Sequence, residues 1–480
     1  MKQDKCNNVR NGTKTPSFVV SLIPVAVLLA AIVIMIITSG AEAAQAVSHY
    51  ILLAAAVLTT AIAVIGYKCS WSALWHGIKR SAAQILPAVP ILALIGTVAA
   101  TWMMSGVVPT LIYYGLDIIN PSLFLLLACA VCSAISVLSG SSWTTIATIG
   151  VAFMGIGSVM GYSEGWIAGA IISGAYFGDK VSPLSDTTVL ASSSCGVDLF
   201  THIKYLMITT IPSMLIAMLV FLAVGFVHGD VEQMQSHDIL VHLQSTFNLT
   251  PWTLIVPVVT CALIVLRVKT LVTLAVSTLM GLVAMFVFQP QVASSIGGGW
   301  FMASLDVMLT ETAIQTGNDM LDSLVATGGV EGMMPTIYLV LCAMTFGGVM
   351  IGSGMIASIT RTFTRRLHSP RSIVGATVGS GLLFNSFTGD QYLSIILGGN
   401  VFKKLYEDNG LERRLLSRSL EDSISVTSVL IPWNSCGVTQ STVLGVATLT
   451  YLPYCIFNYI SPIMSLIVVR IGYKIVRTGK

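Results

Sequence analysis

Apolar residues fill this chain in blocks of about twenty or more, with polar residues breaking the pattern at only a few places. Single blocks fall near residues 17–38, 47–67, 86–108, 205–227, 251–267, 270–288, 335–359 and 452–474. Four more, 121–160, 165–195, 371–402 and 420–447, carry an interior break. In the first of these, Ser139-Gly-Ser-Ser-Trp-Thr-Thr145 interrupts the run, and in the third Asn385-Ser-Phe-Thr-Gly-Asp-Gln391 does the same. Polar, unwound backbone persists at membrane depth only where protein or water covers it. The pattern predicts an all-α polytopic membrane protein of about ten transmembrane helices plus two re-entrant hairpins and broken helices.

Composition agrees: 55% of the 480 residues are hydrophobic and only 9% charged, where a soluble domain carries about a quarter. The first block follows Lys2, Lys5, Arg10 and Lys14, is too long for a signal-peptide core, and is expected to stay as a helix. A net charge of +3 implies no nucleic-acid partner. Position matters more than number. Lys68, Lys79, Arg80, Lys204, Arg267, Lys269, Arg361, Arg365, Arg366, Arg371 and the groups at 403–418 and 470–480 must share one face, whereas 109–120, 228–250 and 289–331 hold no Lys or Arg. The positive-inside rule makes that face cytoplasmic, with both termini on it. Nine cysteines form no metal-ligand pattern; Cys129 and Cys132 read as helix-packing residues.

The two polar breaks resemble each other. At an offset of 249, Ser139/Thr388, Gly140/Gly389, Thr145/Ser394, Ile146/Ile395, Gly150/Gly399 and Phe153/Phe402 correspond. An offset of 241 aligns Ser194–Val197 with Ser435–Val438 and Pro212 with Pro453. This is an internal duplication, and by the charge rule the copies are inverted in the membrane. Residues 1–80 then form a leader with two scaffold helices, 85–230 the first repeat, 231–334 a linker region with two helices and an external segment, and 335–480 the second repeat. Inverted repeats with broken helices suit a secondary transporter whose site lies at their shared midplane.

Ionisable residues inside spans are costly and mark ion paths. Asp179 and Asp186 fall in the second broken block, Asp390 at the second hairpin tip. Carboxylates, hydroxyls and helix-end carbonyls replace the water shell of a hard cation. Asp186 and Asp390 are therefore the candidate metal ligands, with Asp179, Thr187, Thr188, Ser142, Asn434 and Ser435 completing the ion-binding set. Pro183 and Pro432 help free carbonyls nearby. An organic acid would instead be cradled at the hairpin tips by Ser139, Ser141, Thr144, Thr145, Asn385 and Thr388. Adjacent Asp179 and Lys180 do not face each other on a helix, which makes direct pairing awkward. Glu421 and Asp422, at the start of a span, read as solvated, as do His49, His228, His237, His242 and His368; Glu164 reads as interfacial.

The run Gly-Ala-Tyr-Phe-Gly-Asp-Lys-Val-Ser-Pro-Leu-Ser-Asp-Thr-Thr at 174–188 resembles the signature of the NhaC-type sodium/proton antiporters, within a broader ion-transporter superfamily. The resemblance extends from about residue 20 to 475 and includes Phe-Thr-Gly-Asp-Gln-Tyr and Asn-Ser-Cys-Gly in the second half. It implies paired re-entrant hairpins, a fold that is often a homodimer, and residence in the bacterial cytoplasmic membrane with sodium ions, protons and lipid as partners. It also implies exchange of sodium for protons without a cofactor, although the family includes exchangers of organic acids such as malate/lactate antiporters.

Sodium and protons are expected to compete for a buried Asp186, joined by Asp179 or Asp390, with the inward–outward barrier crossed only when the site is neutralised. An enzyme is not expected. Tyr-Phe-Gly-Asp and Phe-Thr-Gly-Asp both miss the Gly-x-Gly-Asp pattern of membrane aspartyl proteases, and neither His-Glu-x-x-His nor Walker or Rossmann glycines occur. Segment 289–331 reads as a linker or an amphipathic surface helix, and 403–418 as a basic interfacial connector.

Overall fold

The computed structural model of the protein describes residues 16–228, 233–317, 321–322, 325–364 and 367–475. The leader residues Lys2, Lys5, Arg10 and Lys14, together with Asp319, Arg365, Arg366, Arg477, Lys480 and the side chains of His228 and His237, lie outside the described residues. Among the described residues the chain is helical, and Thr312 with Thr327 forms the one isolated bridge. Eight helices there are long and apolar enough to cross a membrane, or up to eleven if each of three bent pairs is one span.

Helix α1 (Phe18–Ala61) is divided at Gly40, φ 89°, into two spans, because a positive φ breaks the hydrogen-bond ladder. Helices α2 (Trp71–Ile85) and α3 (Val89–Met104) run together across a 3-10 turn, so the third span begins earlier than the hydropathy block at 86. After α4 (Val107–Ile118) comes the first hairpin, α5 (Phe124–Ser139) and α6 (Ser142–Val159). The first broken helix follows as α7 (Glu164–Val181) and α8 (Asp186–Cys195), then α9 (Leu199–His228). The connecting region holds α10 (Gln233–Thr246), α11 (Ile255–Val265), α12 (Thr270–Phe288), α13 (Pro290–Ile296) and α14 (Gly299–Leu309). Helices α13 and α14 bend by 81° at the Gly297–Gly298 break, so 289–331 is not one amphipathic helix but opens on a bent pair.

The second half repeats the plan: α15 (Met334–Gly352), α16 (Met355–Thr364), the hairpin α17 (Pro370–Thr388) and α18 (Gln391–Asp408), then α19 (Arg413–Leu420). A π turn (Glu421–Ser425) and a 3-10 turn (Ser428–Leu430) lead from α19 to α20 (Ser435–Leu444), α21 (Thr448–Tyr451) and α22 (Ile456–Ile471). The stretch 403–418 is therefore not a single interfacial connector. It is the end of α18, a tight turn and most of α19, and its last cation, Arg418, is fully buried.

A single offset of 249 relates the halves. Gly140 and Gly389 cap their helices at φ 68° and 67°, and the next residues, Ser141 and Asp390, both have φ −146°. Ser185 and Asn434 start α8 and α20, and Gly196 and Gly445 end them in the left-handed region. The expected second offset of 241 is overturned. Ser194–Val197 straddles the end of α8, where a left-handed glycine closes the helix, whereas Ser435–Val438 is the first turn of α20. Pro212 lies inside α9 and Pro453 in a 3-10 turn, so that pair is no repeat signal either.

Two apolar cores result. One is built around α3–α7, α9 and α12, the other around α1, α2 and α15–α19. The broken helices pass between them: Ala191 and Cys195 of α8 belong to the second core, and Cys436, Val443 and Leu444 of α20 to the first. Within the first core, α5 and α7 meet almost backbone to backbone. A Cβ at Gly174 would lie 2.2 Å from the Cys129 carbonyl oxygen, the close approach that small residues permit between membrane helices. Cys129 and Cys132 are fully buried in that core, which is the packing role expected of them.

Candidate functional site

The two hairpin tips and the two broken helices converge. At the first tip, Ser141 Oγ accepts from the Thr144 N–H (3.2 Å) and hydroxyl (3.1 Å), while Thr145 donates to the Ser141 carbonyl (2.9 Å) and lies 3.3 Å from the Ser139 hydroxyl. The second tip copies it. Asp390 Oδ1 accepts from the Leu393 N–H (2.9 Å), Thr388 donates to the Asp390 carbonyl (2.9 Å), and Ser394 lies 2.7 Å from Thr388. Asn385 donates to the Ile424 carbonyl (2.7 Å) and receives from Asn434 on its own carbonyl (3.2 Å). The tip donors expected to cradle an organic carboxylate are thus engaged within the protein, and the second tip carries an acid of its own.

Each tip reaches the broken helix of its own repeat. Ser142 donates to Asp179 Oδ2 through its hydroxyl (2.7 Å) and its N–H (3.3 Å). At the equivalent place Ser428 donates to Gln391 Oε1 (3.2 Å). Ser435 donates to the free oxygen of Asp390 (3.1 Å), the counterpart of the Asp186 and Ser141 positions.

Burial separates the three aspartates. Asp179 is 9% exposed and Asp390 1%, and neither has a cation within ion-pair distance among the described residues. Asp186 departs from expectation: it opens α8 as an exposed residue, because the N-cap role falls to Ser185, whose hydroxyl accepts from the Thr188 N–H (3.4 Å). Thr187 and Thr188 are buried and turn away from it; Thr188 Oγ1 lies 3.0 Å from the Lys180 carbonyl and 3.3 Å from Glu421 Oε1.

Glu421 and Asp422, read as solvated, are fully buried instead. The π turn swings both into the protein beside α7 and α9. Lys180 donates to Asp422 Oδ1 (2.5 Å) and to Ser461 (2.7 Å), and Thr209 donates to the same carboxylate oxygen (2.8 Å). Arg418 lies 3.7 Å from the other oxygen and 4.7 Å above the Tyr205 ring. Glu421 accepts from Thr188 and from Ser425. Sequence reasoning rightly turned Lys180 away from Asp179 but did not find its partner. The available signal was Arg418 and Asp422 one helical turn apart, directly after the apolar pair Leu415-Leu416.

A model of the Na+/H+ antiporter family matches residues 12–194 and 174–473. The chain belongs to this family. It is 38% identical to the Na+/H+ antiporter NhaC of Alkalihalophilus pseudofirmus over 87% of each chain, and 35% identical to NhaC of Bacillus subtilis over 86% of this chain and 90% of that one. The malate-2H+/Na+-lactate antiporter of Bacillus subtilis is 35% identical over 82% of each chain. The arginine/ornithine antiporter ArcD of Halobacterium salinarum is 32% identical over 96% of this chain and 93% of that one. The relatives with these names are transporters, which fits a multi-pass chain with a pair of interrupted helices.

Proposed function

We propose that this protein exchanges sodium for protons by alternating access, with both ions competing for the carboxylates at the hairpin tips. The observation that carries the reading is that Asp179 and Asp390 are buried and held by hydroxyls and backbone N–H groups alone. A hydrogen bond to a charged group contributes about 1.5–3 kcal/mol. An unpaired buried ion costs several kcal/mol, so each carboxylate calls for a cation or a proton. Occupancy by one excludes the other, and a site neutralised by either crosses the barrier between states more readily than an empty one.

Asp179 and Asp390 thus take the central place that sequence reasoning gave to Asp186. Exposed Asp186, at the start of α8 beyond Asp179, serves as the approach to the buried pair. Ser142 and Ser435 are the neutral ligands in direct contact with the carboxylates. The charge bias of the loops supports both termini on the cytoplasmic face of a bacterial inner membrane.

A second reading is favoured by the names of two relatives, one exchanging malate for lactate and one arginine for ornithine. There an organic solute crosses with or against the cations. One experiment separates the two: internal pH of proteoliposomes after a sodium pulse, with and without malate, lactate or arginine. Sodium-driven proton movement without organic solute, lost in Asp179→Asn and in Asp390→Asn, is the expected result. Movement that appears only with an organic solute present transfers the protein to the second reading. Undiminished exchange in both variants overturns the site.

A further inference from the structure

Two cavities, of about 530 and 490 Å³, share Glu164, Thr442 and Gly445. Glu164 is the first residue of α7 and stands at their junction. The carboxylate has no ion-pair partner among the described residues, and neither cavity is lined by a Lys or Arg. Leu444 and Gly445, at the other side of the junction, are the carboxy-terminal end of α20, the end at which a helix dipole carries partial negative charge. The opposite end of α20 is the site itself, since Ser435 in its first turn donates to Asp390. A ten-residue helix spans about 15 Å, so α20 links the vestibule to the buried carboxylate along its length.

The repeat relation sharpens the point. Position 164 corresponds to 413 at the offset of 249, and there stands Arg413. Just as Glu164 neighbours the end of α20, Arg413 neighbours the end of α8: a Cβ at Gly196 would lie 3.1 Å from its guanidinium nitrogen, and Lys403 is close by. One geometry thus occurs twice, acidic and unpaired on one face, basic and paired with Glu407 on the other. The segments on the acidic face, 109–120 and 289–331, contain no Lys or Arg to neutralise it.

We propose that Glu164 and the carboxy-terminal end of α20 form a cation-collecting site at the mouth of this vestibule, where sodium is concentrated on its way to or from Asp390. The proposal rests on the sodium/proton reading. A cleft of one sign raises the local concentration of counter-ions and loses that advantage as salt screens it. Glu164 does not touch the transported ion at the buried site, so it governs access and not turnover.

The test is the sodium dependence of exchange in proteoliposomes, with sodium offered to one face at a time, at low ionic strength and again with added choline chloride. Glu164→Gln should raise KM for sodium about three- to tenfold at low ionic strength on one face only, with kcat kept, and Glu164→Lys should raise it further. Glu164→Asp should restore the wild-type value. The gap between variants and wild type should close at high ionic strength. Unchanged KM in Glu164→Lys, or a change that ignores ionic strength, overturns the proposal. Absence of sodium-driven proton movement in the wild type would instead remove the underlying reading.

Discussion

The two hairpin tips have nearly the same backbone and exchanged chemistry. In the first repeat hydroxyls occupy the tip, Ser141 and Ser142, and the broken helix supplies the acids, Asp179 and Asp186; in the second the tip carries Asp390 and the broken helix answers with Ser428 and Ser435. Gly140 and Gly389 have φ of 68° and 67°, so the two tips share a cap conformation while their side chains differ. The difference teaches that the fold fixes where a polar atom is needed and leaves open which repeat provides its charge. The site proposed above therefore draws its carboxylates from both halves.

The comparison breaks most sharply if charge is removed from one half. Asp179→Asn and Asp390→Asn should each abolish sodium-driven proton movement, measured as internal pH after a sodium pulse; if only one does, the halves are not partners in a single site. Next in size is the ion pair that has no counterpart in the symmetry, since Val429 stands at the position equivalent to Lys180. Lys180→Met leaves buried Asp422 with the more distant Arg418 as its only cation within ion-pair distance among the described residues and should lower stability by about 3 kcal/mol, followed by denaturation in detergent. Replacing both, Lys180→Met with Asp422→Leu, should not recover that loss, because buried Arg418 then loses its own carboxylate partner.

Smaller effects probe the shared backbone. Gly140→Ala forces a left-handed Cβ to 2.6 Å from Leu184 Cβ, whereas Gly389→Ala meets Ala343 at 3.0 Å. The first should cost about 3 kcal/mol and the second about 1–2, the strain being common and the overlap greater at Gly140. The smallest change is at the caps of α8 and α20. Ser185→Ala should cost about 1 kcal/mol. Asn434→Ala should cost somewhat more, since Asn434 also donates to the Asn385 carbonyl. Thermal unfolding of the purified variants reads both pairs.

Much of this was legible in the chain. Hydropathy located the spans because a bilayer demands length and apolarity, and the Ser139–Thr145 and Asn385–Gln391 breaks stood out because polar residues are rare inside such runs. The first offset was found through Gly140/Gly389, whose backbone requirement tolerates little substitution. The second went astray on Ser-Cys-Gly-Val, since short runs of small residues recur for packing reasons alone. Burial was the other blind spot. Asp186 looked as intramembrane as Asp179, but Ser185 capped the helix and left it outside; Glu421 and Asp422 looked solvated beside a basic stretch, but a π turn carried them inward. Position along a chain shows nothing of which way one turn of helix faces once its regular winding is interrupted.

The crossing of α8 and α20 between the two cores has a mechanical consequence. Helix α8 packs its end into the second core and α20 its end into the first, and each is joined to the element before it by a short non-helical link, 182–185 and 431–434. Rotation of one core against the other would bear on those eight residues, and they adjoin Asp179, Asp186, Asp390 and Ser435. Under the proposed exchange the cargo would ride on the axle of the machine, so a hinge that turned it would also feel whether it was loaded.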